Sequence, residues 1–196
     1  MPSETDIANV ALRLVGGTRI TSFTQATPNA NAVNDIFSEI RDTLLEFPWN
    51  FATQRVQLAQ LTTAPSFGFD YAYALPADWL YTISVHDNDG GYGTIDYREE
   101  QVASQKVIST DHSSVYLVYV KREIDPNLMP ASFRMALAST LARNLAITLA
   151  NSNVLEDQLA ARAEKDLAKA KSIDAMSSFP EPRPRGSWAT SRNGFR

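Results

Sequence analysis

The 196-residue sequence predicts an α+β fold: mainly a helical bundle of two N-terminal and two long C-terminal helices, with a small antiparallel β-sheet inserted in the middle and an extended C-terminal tail. Three observations carry that reading. Apolar residues recur at helical spacing at both ends of the chain, and they alternate with a period of two between those ends. From residue 177 onward, prolines at every second position forbid either pattern. This order of elements argues for helices gathered on one side of a small sheet. Residues 1–176 then form one domain, and residues 177–196 form the tail.

The first helix is expected over 4–16. Ile7, Val10, Ala11 and Leu14 make one apolar stripe, Ser3 with Asp6 supplies an N-cap signal, and Gly16-Gly17 stops the helix. Residues 20–28 are a Thr- and Ser-rich loop. A second helix is expected over 28–47, capped by Thr27 with Pro28 in its first turn, on the stripe Val33, Ile36/Phe37, Ile40, Leu44 and Phe47. Pro48 ends it.

The β-region spans about 53–122. Val56 and Leu58 alternate with polar residues, as do Tyr71, Tyr73 and Leu75, and then Tyr81, Ile83 and Val85. Residues 86–93 are dense in turn formers and are expected to join two antiparallel strands, with Ile95 and Tyr97 continuing the alternation. Val115 to Val120 is apolar on both faces, as the best-buried strand should be. Helices follow over 130–151 and 154–174. The first carries a ridge of Phe133, Leu137, Leu141, Leu145 and Leu149 beside Ala136, Ala138, Ala142 and Ala146. The second turns Leu155, Leu159, Ala163 and Leu167 inward and Glu164, Lys165, Asp166 and Lys169 outward. Trp49 and Phe51, just past the Pro48 break, read as core anchors of the helix–strand junction.

Composition removes several classes of function. The chain has no cysteine, so disulfides, Cys-based zinc sites and thiol nucleophiles are out. Apolar runs stop well short of a membrane span, and Glu4, Asp6 and Arg13 reverse the charge layout of a signal peptide, so a soluble intracellular chain is expected. Net charge is −4 overall, but residues 177–196 hold four arginines against Glu181 alone, which leaves the rest at −7. An acidic body does not grip nucleic acid, and a short basic tail on it reads as an interaction arm.

No catalytic or cofactor motif is recognisable. Gly91-Tyr-Gly93 lacks the third glycine of a dinucleotide loop, and no nucleophile elbow or His-Glu-x-x-His pair occurs. Asp87-Asn-Asp89-Gly90 hints at a calcium loop, yet Arg98 stands where the closing glutamate belongs. His86 and His112 read as exposed loop histidines. Glu39, Asp42 and Glu46 share one solvated helix face. Tyr71, Tyr73, Tyr81 and Tyr97 read as sheet packing, because acids and small residues rather than Lys or Arg separate them. The expectation is therefore no enzyme, no cofactor and no metal. Candidate partner-binding residues lie in the tail: Phe179, Arg183, Arg185, Trp188, Arg192 and Phe195, large aromatic anchors interleaved with arginines, and Trp and Arg dominate binding hot spots. Removing residues 177–196 is expected to leave helical content and melting nearly unchanged.

Several strings together resemble a known family. They are Ile7-Ala-Asn-Val-Ala-Leu-Arg-Leu-Val-Gly-Gly17 with Arg19-Ile-Thr-Ser22, Asn29-Ala-x-Ala-Val33, Arg41-Asp-Thr-Leu-Leu-Glu-Phe-Pro-Trp-Asn-Phe-Ala52, Arg55-Val-Gln-Leu58, and Phe67-Gly-Phe-x-Tyr-Ala-Tyr-x-Leu-Pro-Ala-Asp-Trp79. This succession resembles the tail tubular protein A, or head-to-tail adaptor (connector), family of short-tailed bacteriophages. The resemblance implies a ring-forming virion protein, commonly dodecameric, seated beneath the portal at the head–tail junction and assembled in the host cytoplasm. Such a ring extends the DNA channel and presents a platform for the next tail component, with the C-terminal extension reaching the portal. Some relatives are credited with murein hydrolysis, which supplies the alternative, although no hydrolase motif matches here.

Overall fold

A computed structural model describes residues 1–91, 93–102 and 104–177. The predicted tail beyond Ser177, with all six candidate binding residues, lies outside the described residues. The chain mixes helix and sheet: α1 (Glu4–Val15), α2 (Pro28–Leu45), β1 (Thr53–Gln57), β2 (Tyr71–Ala74), β3 (Trp79–His86), β4 (Arg98–Val102), β5 (Gln105–Thr110), β6 (Tyr116–Lys121), α3 (Ala131–Ala150) and α4 (Asn153–Ala175).

Local chemistry sets the helix ends. Ser3 and Asp6 form a full capping box on α1, and Gly16 closes it at φ 77°, a left-handed conformation that costs a side chain dearly. A Cβ on Gly17 would sit 3.2 Å from the Leu12 side chain and 3.3 Å from that of Asn29, so a methyl group there requires those side chains to give by a few tenths of an ångström. Thr27 caps α2 through the Ala30 N–H, with Pro28 in the first turn. Asn151, at φ 47°, ends α3, and Ser152 caps α4 through the Leu155 N–H.

The buried stripes sit slightly off those expected. In α1 the fully buried residues are Ile7, Ala8, Ala11, Leu12 and Val15, with Val10 and Leu14 only partly covered. In α2 they are Ala30, Val33, Phe37, Arg41 and Leu45. This helix stops two residues early, and Phe47 is left at the surface under the Lys171 ammonium, 4.4 Å from its ring. Helix α3 packs between α1, α2 and α4, so it is buried on more than one side. Alanines Ala138, Ala142 and Ala146 on α3 and Ala163 and Ala170 on α4 let the backbones approach closely. Asp166 does not face outward as expected. Ser139, fully buried on α3, donates to its carboxylate at 2.6 Å, because a buried hydroxyl needs a partner.

The single sheet expected is two. One is ordered β1-β6-β3 and the other β2-β5-β4, and all pairings are antiparallel. As expected, β6 is the most buried strand of its sheet, and it lies in the centre. The turn after His86 does not join hairpin partners: β4 pairs with β5 in the second sheet, and the Ile95 N–H reaches back to the Val85 carbonyl. Val85, Leu117 and Tyr119 of the first sheet, with Leu58 just past β1, share a core with Tyr73 and Ile108 of the second. Val120 instead joins the helical core.

The simple alternation predicted for Tyr81, Ile83 and Val85 fails at a bulge. Tyr81 pairs with Val120, yet the register slips between Thr82 and Ser84, so Val85 pairs with Leu117 on the opposite face. Tyr81 therefore stays half exposed while Val85 is wholly buried. The tyrosines divide accordingly: Tyr71 and Tyr73 pack between the sheets, whereas Tyr81 and Tyr97 keep much of their rings in solvent.

Tyr119 is buried and donates to the Asp78 carboxylate at 3.1 Å. Burial, and then the neighbouring Asp78 charge, push its phenol up to about 12. An unfolded tyrosine ionises near pH ~10. The raised value therefore contributes stability that is complete below about pH 10 and is lost as the pH rises towards 12. Urea melts across this window should fall more steeply for the parent chain than for Tyr119→Phe, and parallel slopes would contradict the assignment.

Candidate functional site

Two surfaces gather chemically distinctive residues. The first is a joint at one end of the helical layer. Here Pro48 and the 3₁₀ turn Asn50–Ala52 meet the start of α3 and the last turn of α4. Trp49 is 1% exposed, as expected of an anchor, and its indole N–H donates to the Leu44 carbonyl at 2.7 Å. Its ring meets Phe133 edge-on with centroids 5.1 Å apart, while Phe51 lies 4.9 Å from the same Phe133 ring.

Asn50 reaches the other way. Its backbone N–H donates to both carboxylate oxygens of Asp174 at 3.1 Å, and its side-chain amide donates to the Asp174 carboxylate at 3.0 Å and carbonyl at 2.8 Å. The same amide contacts the Ser177 hydroxyl at 3.3 Å, which itself donates to the Asp174 carbonyl at 2.6 Å. Desolvation raises the Asp174 carboxyl above its usual value, and the Asn50 N–H pulls against that shift by stabilising the anion. Beside this clamp is a largely apolar pocket of about 350 Å³, walled by Trp49, Phe51, Pro130, Phe133 and Ile173, with Asp174 and Ser177 at its edge.

The second surface is the face of the first sheet that the second sheet leaves open. The antiparallel register sets Arg55, Val118 and Ser84 in one row and Gln57, Tyr116 and His86 in the next. A groove of about 770 Å³ runs over this face, roofed in part by Gly91, Gly93 and Thr94. His86 is not the exposed loop residue expected. It ends β3, is 7% exposed, and both ring nitrogens are engaged, Nε2 with the Ser84 hydroxyl at 2.9 Å and Nδ1 with the Gly93 carbonyl at 2.5 Å. A carbonyl can only accept, so Nδ1 carries the proton; in the neutral ring, Nε2 then accepts from Ser84. This pairing ties the 87–94 loop onto the sheet, and it also has the sense of a nucleophile and its base. His112 does lie in a half-exposed loop, with Nδ1 at 3.6 Å from Asp87.

The residues that suggested calcium are otherwise engaged, in that Asp87 takes the Asn88 amide at 2.7 Å and faces His112. Among the described residues, no group of three or more His, Asp or Glu side chains is placed to hold a metal ion. No described helix is long and apolar enough to cross a membrane.

Sequence reasoning missed one charged cluster. Arg41 is 8% exposed and donates to Glu4 at 3.1 Å and to Asp42 at 3.0 Å, while the other Asp42 oxygen takes Arg122 at 2.9 Å. Asp42 is therefore bound within a network linking α1, α2 and the chain after β6, not on a solvated face. An arginine inside an apolar helix stripe was the available signal.

The strings that carry the family resemblance fall largely on these joints. Asn9 holds both the N–H and the carbonyl of Ile20, at 2.8 and 2.9 Å. Asn29 holds Thr18, Arg41 and Asp42 bind the network, and Trp49 and Asn50 build the clamp. No protein-family model matches the sequence, and no curated protein matches it.

Proposed function

We propose that this chain is a structural virion protein, a head-to-tail adaptor. Copies form a ring, dodecameric as is common among the adaptors it resembles, below the portal at the head–tail junction. The ring extends the DNA channel and offers the attachment platform for the next tail component, without specific DNA binding. Residues 1–176 are the adaptor body, and residues 177–196 are the arm that reaches the portal or a neighbouring subunit, through Phe179, Arg183, Arg185, Trp188, Arg192 and Phe195.

The observation that carries this reading is the Asn50–Asp174 clamp. A docking arm transmits position only if its root is fixed, and the clamp binds the last turn of α4 to the Trp49 anchor. Charge supports it too: a net −7 outside the tail lets DNA pass without sticking, and the basic tail suits an acidic partner surface. Deleting residues 177–196 should abolish attachment to portal-bearing heads while leaving the circular dichroism spectrum of the isolated protein nearly unchanged. Attachment at parental affinity would refute the arm.

A second reading, a tail-associated murein hydrolase, draws on the Ser84–His86 contact over the open groove. Zymography separates the two. Clearing by the parent protein that Ser84→Ala removes would favour the hydrolase, and its absence favours the adaptor.

A further inference from the structure

We propose that neighbouring copies join head to tail through the α3–α4 hairpin, the tip of one copy seating Val154 in a groove at the hairpin base of the next. The inference rests on the ring-forming adaptor reading and names the surfaces that build the ring. The groove lies between the start of α3 and the last turns of α4. It holds about 340 Å³ between Ser132, Met135, Lys169 and Ile173, and it continues into the pocket beside the Asn50–Asp174 clamp, because Ser132 and Ile173 line both. Met135 and Ile173 stay 40% and 44% exposed, so apolar surface in this cleft has no cover among the described residues. The acid in its wall, Asp166, is already held by Ser139 and Arg162, at 2.6 and 3.6 Å. Lys169 is exposed and makes no ion pair among the described residues.

Shape and charge select the occupant. The opposite end of the hairpin, where Asn151 and Ser152 turn the chain, carries Val154 at 70% exposure. Asp157 follows three residues later, on the same helix face, and it too is exposed and makes no ion pair among the described residues. A convex apolar side chain with an acid beside it thus meets a concave apolar cleft with a cation on its rim. Docking buries Val154 against Met135 and Ile173 and brings Asp157 to Lys169. One copy cannot make this contact with itself, since the 20 residues of α3 hold tip and base about 30 Å apart. The tip of a second copy is therefore the occupant. A contact between two different patches passes from copy to copy, and it closes into a ring where the rotation per step allows.

The chain has no cysteine, so introduced thiols report this contact alone. With Met135→Cys and Val154→Cys in one full-length chain, a short thiol–thiol crosslinker should give a ladder from dimer upward, in concentrated free protein or in chains mounted on portal-bearing heads. Either single variant should give no crosslink, and a mixture of the two should stop at the dimer. Val154→Asp should raise the protein concentration needed for assembly about tenfold or more, because an acid then enters an apolar cleft. The melting of its monomer should stay parental, since the first turn of α4 favours an acid. Asp157→Lys should weaken assembly about three- to tenfold, and adding Lys169→Asp should restore it. Absence of the crosslink in both settings, a double variant that stops at the dimer, a crosslink in a single variant, or parental assembly of Val154→Asp would overturn the proposal. The adaptor reading fails separately, if the ladder forms but the chain does not join portal-bearing heads.

Discussion

Trp49→Ala should destabilise the protein by about 3–5 kcal/mol, the largest single-residue loss expected in the chain. The ring is fully buried where α2, the 3₁₀ turn and α3 meet, so its removal leaves a cavity bounded by Phe47, Phe51 and Phe133. Pro48 lets no helix continue into this corner, and the neighbouring backbone is fixed by the Thr53 hydroxyl donating to the Trp49 carbonyl at 2.8 Å. The corner therefore has little freedom to collapse. The lost indole hydrogen bond to Leu44 adds a carbonyl without its partner. Denaturant melts check the value, and a loss under about 1 kcal/mol would show that the ring does not hold the joint. Trp49→Phe should recover part of the loss, by refilling the apolar volume without the N–H.

Arg41→Ala should cost about 2 kcal/mol. The guanidinium is 10% exposed and holds Glu4 and Asp42 from two sides, but those carboxylates keep 35% and 25% of their side-chain surface in water. Once unpaired, they rehydrate in part, which keeps the loss below that of a fully buried pair. Arg122 also remains on Asp42. Arg41→Lys should restore little, because an ammonium cannot span both acids as the planar fork does. Equal stability of the Lys and Arg forms in urea melts would contradict the network described.

The helices were legible in the sequence because their signals are local. Ser3 with Asp6, Gly16, Thr27-Pro28 and Asn151-Ser152 each mark an end through chemistry within one turn of it, and the bounds fall within two residues of those expected. The sheets were less legible. Strand β5 (Gln105–Thr110) carries only two strongly apolar residues, and its burial comes from lying between β2 and β4, a property of pairing that no window of sequence holds. The bulge after Thr82 inverted the faces of β3 for a similar reason: one extra residue is invisible to a period-two count.

At the candidate site, Trp49 was legible as a large ring beyond a forced break. Asn50 and Asp174 were not, since 124 residues separate the two halves of that clamp. His86 was misread because its neighbours are turn formers, although the residue itself still belongs to β3 and faces Ser84. Asp166 was misplaced because a charged residue on an amphipathic helix was assigned to solvent, when a buried serine opposite required an acceptor.

Cryo-electron microscopy of intact virions carrying this protein tests the adaptor reading most directly. The account predicts a closed ring of this chain directly below the portal, its central channel continuous with the portal's, and density for residues 177–196 running from the α4 end of each copy onto the portal or the adjacent subunit. Absence of the chain from the head–tail junction, or a ring there whose contacts with the portal omit these residues, would contradict it.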